Sequence, residues 1–347
     1  MNKETAPIEN APYISMEELD FDKEEKKAKS FIHDHNFQEA LRSLQEEGLL
    51  PHQVLQVKER YSESLESADF MTEGDWEYLT MMSLYSPELA THCVETYKLI
   101  RTKIESIRIG SETIAEIIQK ETGSLDTFYR AALLHDIGKM NIPESVLNHK
   151  MDVVHMQAEP NDAEAAQSVS DYDFHKNSTE PARTFLSEEQ IQELIQRGIS
   201  PDLTFREILN LHEQASQEIL EEGHLPVEAK IVGQHHNYSK TPLVYPASST
   251  AIGVTSNQED LTRILLHLGD VQEALRSPDR RYKKSFSPIT TSYELKKDAE
   301  ESDDPLKKMY TALWIQNDMG AIKANLSEGD REKLDELEAF LKKYLPN

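Results

Sequence analysis

An all-α protein is predicted by three features of the sequence. Apolar residues recur three and four apart through most of the chain, the spacing of one helix face. Gly (12) and Pro (15) are sparse while Glu, Lys, Gln and Leu abound, a composition that favours helix. No stretch shows the sustained apolar–polar alternation of a half-buried strand. The expected architecture is a helical bundle over residues 76–347, preceded by a tail and helical extension over residues 1–75 and interrupted by an acidic insertion at about 151–200.

Taken in order, residues 1–20 read as an acidic tail. Ala28, Phe31, Ile32, Phe37, Ala40, Leu41 and Leu44 then predict helix from about Glu24 to Glu47, broken near Asn36, with Gly48 and Pro51 as punctuation. Helix resumes near Asp75 and again at Ser86-Pro87, where Pro suits a first turn. Further helices are expected at about Ser111–Lys120 and Ser124–Asp136. Residues 151–184 are polar, acidic and aperiodic, and read as an insertion, loop or lid. Ser187 and Gln190 form a capping-box pattern. Helices follow at about Phe205–Glu222, Pro226–His236, Leu261–Arg276, Leu306–Ile315 and Glu328–Tyr344. Residues 238–258 read as a loop and 277–300 as irregular with some helix.

Composition narrows the function. A hydrophobic content of 38% over 347 residues supports a sizeable core. The single cysteine, Cys93, excludes an internal disulfide framework and suits a reducing cytoplasm. No apolar run is long enough to span a membrane. A formal charge of −26 argues against duplex nucleic acid, whose affinity rests on Lys and Arg. A small phosphorylated substrate stays compatible if metal ions reverse the field locally. Residues 1–75 contain no ligand motif and read as a helical cap or a module for a protein partner.

The stretch AALLHDIGKMNIPESVL, residues 131–147, organises the rest. Its apolar run ends abruptly in His135-Asp136, followed by Gly138, Lys139 and Pro143, so two ligand-type side chains meet a helix end. Other candidates stand on predicted helices. Glu88 and His92 are four apart and share a face; His212 is in register with Ile208, Ala215 and Ile219. His235 and His236 end an apolar segment; as helical neighbours they diverge by about 100°, which suits two adjacent ions better than one. Asp270 lies in the otherwise apolar RILLHLGDVQEAL, where a buried carboxylate needs a partner. Taken singly, most of these have an ordinary reading as a cap, a surface pair or a hydrogen-bonded core residue. His267, one turn before Asp270, reads as packing or as support behind a ligand.

Their order, H…HD…H…HH…D, is the point at which the chain resembles a family. The pieces SPELATH, LLHDIGKMNIPESVL, HEQASQEIL, VGQHH and TRILLHLGDVQEALRSPDRRYKKSF resemble the HD superfamily of metal-dependent phosphohydrolases, and within it the HD-GYP phosphodiesterases of cyclic dinucleotides. The resemblance spans about residues 86–282, apart from the insertion. It implies an HD-domain helical bundle in which His92, His135, Asp136 and Asp270 are the shared metal ligands. It further implies that His212, His235 and His236 serve a second ion, that Glu88 serves a third, and that Lys139 contacts substrate phosphate. Two or three divalent ions follow. The mixture of imidazole and carboxylate suits Fe or Mn better than structural Zn, which more often recruits Cys. Asp136 is the natural bridge, and the implied chemistry is in-line attack on phosphorus by a metal-activated hydroxide.

The pattern also departs from the family. Asn237 stands where Glu is usual, the Gly-rich turn is missing, only Tyr245-Pro246 echoes Gly-Tyr-Pro, and Ser216 replaces a glycine. A cyclic-dinucleotide phosphodiesterase is therefore the leading expectation. A phosphomonoesterase or nucleotidase, and a metal-holding scaffold without catalysis, are the alternatives.

Overall fold

The computed structural model describes residues 21–65, 68–122, 124–147, 180–233, 235–236, 258–277 and 285–345. The expected tail, most of the expected insertion and the loop after His236, with Asn237, Tyr245 and Pro246, lie outside them. Among the described residues the fold is helical, as predicted. α1 (Phe21–Asp34) and α2 (Phe37–Glu46) divide at Asn36, whose side chain caps α2 by accepting from the Glu39 amide. α3 (Leu50–Tyr61) was not predicted: Pro51, read as punctuation, occupies its first turn. α4 (Glu73–Tyr85) opens on a Thr72/Asp75 capping box and α5 (Pro87–Ser106) on Ser86.

A hairpin of two-residue strands, β1 (Arg108–Ile109) and β2 (Glu112–Thr113), takes the beginning of the helix expected at Ser111, so α6 runs Ile114–Thr122. α7 covers Leu125–Leu134 and is followed by a 3-10 turn at Ile137–Asn141. Within the expected insertion, residues 180–200 carry a 3-10 turn (Ala182–Thr184) and α8 (Glu188–Gln196), the short helix that the Ser187/Gln190 box predicts as far as about Arg197. They build a small core of their own from Ile142, Val146, Ala182, Leu186, Leu194 and Phe205. α9 (Phe205–Glu222), α10 (Pro226–Val232), α11 (Gln258–Arg276), α12 (Pro288–Glu301), α13 (Pro305–Ala324) and α14 (Arg331–Tyr344) complete the described elements. α12 is a full helix where irregular chain with some helix was expected, because Ser287 caps it and Pro288 occupies its first turn.

The main core is continuous. Ala28, Ile32 and Leu44 of the extension bury into the same cluster as Leu79, Tyr97, Leu133, Leu265 and Trp314. Two glycines let helices approach closely. A Cβ on Gly269 would collide with the Ile100 side chain, so α11 lies tight on α5. A Cβ on Gly138 would collide with the His212 carbonyl and the Ser216 amide, so the turn after α7 lies on the backbone of α9. Helices that carry the predicted ligands are thus pressed together by packing that depends on missing side chains.

Candidate metal centre

Each ligand-type side chain is delivered by a different local device. His92 stands in the second turn of α5, buried on the side that meets α11. α7 ends at Leu134, with His135 as its C-cap residue and Asp136 at the start of the 3-10 turn. The sequence suggested Gly138 as the helix exit. The helix stops earlier because the Gly138 amide donates to Ser216 Oγ at 2.8 Å, and that hydroxyl donates to the His135 carbonyl at 2.8 Å. Ser216, a departure from the family pattern, therefore ties the His-Asp corner to α9.

His212 projects from α9. α10 ends at Val232, short of the predicted His236, so His235 and His236 lie in a turn rather than on the helix. The divergence expected of helical neighbours does not apply: the two rings lie 4.1 Å apart and face one region with His212. Asp270 comes from α11, buried as its apolar setting required.

These residues converge. His92, His135, Asp136 and Asp270 place one ligand atom each within 4.8 Å of one another, and His212, His235 and His236 do the same. His92 Nε2 is 3.0 Å from Asp270 Oδ1 and 3.4 Å from Asp136 Oδ2. His135 Nε2 is 3.5 Å from Asp136 Oδ2. The other oxygen of Asp136, Oδ1, is 3.2 Å from His212 Nε2, which is 3.4 Å from His235 Nε2. His236 Nε2 lies 3.6 Å from Asp270 Oδ2. One carboxylate thus turns an oxygen to each cluster.

The backbone fixes the tautomers. A carbonyl can only accept, so Nδ1 of His135 donates to Ala132 O, that of His212 to Leu209 O, and that of His235 to Val232 O. In all three Nε2 is then the nitrogen that faces the centre, where it can offer a lone pair to an ion. His92 uses the Glu273 carboxylate for the same purpose. Glu213 is buried and accepts from the His236 amide, which anchors the His-His turn. Sequence reasoning missed both glutamates. A usable signal was present: Glu213 shares the buried stripe of α9 with Ser216 and Leu220, and Glu273 follows Asp270 by three residues on α11.

Charge separates the two clusters. Burial opposes charge on His92, yet hydrogen bonds to Asp136, Asp270 and Glu273 push its pKa up to about 10. Burial likewise opposes charge on Asp136 and Asp270, and the surrounding imidazoles, with Lys139 at Asp136, hold both carboxyls well below their usual range. Burial and neighbouring imidazoles instead push His235 down. His236 falls to about 3, from burial first and against the pull of Asp270.

A divalent cation fits this set. His135 Nε2 and Asp136 Oδ1 are buried without a hydrogen bond. Orphaned polar atoms of this kind are costly unless an ion takes them. Imidazole nitrogen mixed with carboxylate oxygen is a transition-metal donor set. Glu88 does not join the clusters. It is exposed, and its carboxylate accepts from Ser86 Oγ at 3.1 Å. Lys139 pairs with Asp136 Oδ2. His267 stands outside both clusters, with Nε2 3.0 Å from Asp298.

No helix among the described residues is long and apolar enough to cross a membrane. No curated protein and no solved structure matches the chain. A profile of the HD domain matches residues 89–275, more than half of the chain and the stretch that holds every residue of both clusters. The chain belongs to the HD-domain family and is a metal-dependent phosphohydrolase.

Proposed function

We propose that this centre hydrolyses a phosphodiester, with a cyclic dinucleotide as substrate and Fe or Mn as the metal. The observation that carries the reading is the position of Asp136 between two clusters of donors. Two adjacent ions suit displacement at a diester, where both the attacking and the leaving oxygen carry charge. Bound at these clusters, the ions supply Lewis acidity toward a phosphoryl oxygen.

The chain's own residues define the rest. Asp136, Asp270, Glu273 and Glu213 bring up to four negative charges, which two divalent ions together with Lys139 outweigh, so the pocket attracts anions inside an acidic protein. His135, Asp136 and His235 are shut off from solvent, whereas the side chains of Lys139 and His236 stay 25% and 31% exposed. Substrate therefore approaches over Lys139 and His236. The Lys139 ammonium meets the phosphate there and offsets charge that develops in the transition state. The backbone that follows Lys139 is pinned on two sides. Arg197 donates to Met140 O at 3.0 Å, and the Tyr85 hydroxyl donates to Ile142 O.

A phosphomonoesterase or nucleotidase is the second reading, favoured by Asn237 and by the missing Gly-Tyr-Pro loop. Product analysis of the Mn-loaded protein on cyclic dinucleotides, bis(p-nitrophenyl) phosphate and p-nitrophenyl phosphate separates the two. Linear dinucleotide product supports the first reading. Turnover confined to the monoester supports the second.

A further inference from the structure

We infer that Arg130 is a positioning residue that sets α7 against α10 and so holds the His212/His235/His236 cluster opposite Asp136. This rests on the proposed two-cluster metal site. Arg130 is the last polar residue of α7 before the His-Asp corner, five residues from His135. Its guanidinium reaches three segments at once. Nε lies 2.9 Å from Asp75 Oδ1, one terminal nitrogen 2.8 Å from Glu228 Oε1, and the other donates to Phe70 O at 3.0 Å.

Each leg leads to the centre. Glu228 is buried in α10, which ends at Val232, three residues before His235. Asp75 is buried at the start of α4, where it also closes the capping box; the far end of α4, Tyr85, holds the segment that follows Lys139. At the centre itself the His135 and His235 rings meet edge-on at 5.2 Å. Ring contacts of that kind and the apolar packing around them are weakly directional, whereas the Arg130–Glu228 pair joins the two helices through directed bonds. A guanidinium with donors in a rigid fork supplies them, and an ammonium at the same place does not.

The test is a Mn²⁺ titration of the metal-free full-length protein, read as separate affinities for the two sites, with thermal melting in parallel. His235→Ala identifies which affinity belongs to the second cluster. In Arg130→Lys the second-cluster affinity is expected to weaken about tenfold or more while the other changes less than about twofold. The triple variant Arg130→Met, Asp75→Asn, Glu228→Gln removes the charges together, avoids stranding a buried carboxylate, and is expected to show the same selective loss. Unchanged affinities, or equal weakening of both in step with a lower melting temperature, overturn the inference, as does a wild type that takes up a single ion. A wild type that binds no Mn²⁺ defeats the metal-site reading itself, which is a different result.

Discussion

The two ligand clusters are built on different physics. The first, His92, His135, Asp136 and Asp270, gathers side chains from three helices separated by up to 178 residues and balances buried carboxylates against imidazoles whose pKa values rise. The second, His212, His235 and His236, is all imidazole, sits on one helix and one turn, and holds His235 and His236 neutral at physiological pH. Charge organises the first; in the second, backbone carbonyls orient His212 and His235, as Ala132 O does for His135 in the first. The second cluster has no carboxylate among its own three ligands; Asp270 Oδ2 reaches it at His236, and Asp136, which keeps its other oxygen in the first cluster, reaches it at His212 through Oδ1. That shared carboxylate is what makes the two a single centre.

Removing the shared group is the largest break in this comparison. Asp136→Ala is expected to abolish turnover and to strip metal from both clusters, as measured by elemental analysis beside phosphoester assays. Retention of activity and of full metal content would remove Asp136 from its role. Next in size is Lys139→Ala, expected to lower kcat by about 10²–10³ with metal content unchanged, because the bound ions take over the neutralisation of Asp136 while the phosphate loses its cation. Loss of metal in that variant would show that the lysine organises Asp136 rather than phosphate.

Gly138→Ala sharpens the comparison through the seam between the clusters. A Cβ there meets the backbone of α9, which cannot move without His212. Overpacking of this kind costs about 1–3 kcal/mol, read from denaturant unfolding. Ser216→Ala, which leaves the Gly138 amide without its partner, falls in the same range. The smallest effect is expected at Glu88. Because its side chain is exposed and outside both clusters, Glu88→Gln changes stability by less than about 0.5 kcal/mol and leaves metal content unaltered. A lost ion in that variant would restore the third site implied by the family resemblance.

Much of this architecture was legible in the sequence. Helix starts carry short-range signals, so Ser86, Ser124, Ser187 and Thr204 each cap where a helix was expected to begin, whereas Ser287 carries the same signal and its full helix was not foreseen. The ligands His92, His212 and Asp270 announced themselves as polar groups on apolar faces. Helix ends were less legible. α7 stops at Leu134 because Ser216, far along the chain, claims the turn. α10 stops at Val232, where the Glu213 carboxylate takes the His236 amide. Both endings are tertiary decisions, and both fall at the centre. Arg130 was illegible for the same reason: its partners Asp75 and Glu228 lie 55 and 98 residues away, with no periodic signal to join them.

The central claim is that Asp136 joins two ions. An anomalous difference map of crystals loaded with Mn²⁺ tests it most directly. The account predicts two peaks, one among His92, His135 and Asp270 and one among His212, His235 and His236, with one Asp136 oxygen on each. A single peak, or two peaks that both leave Asp136 uncoordinated, would contradict it.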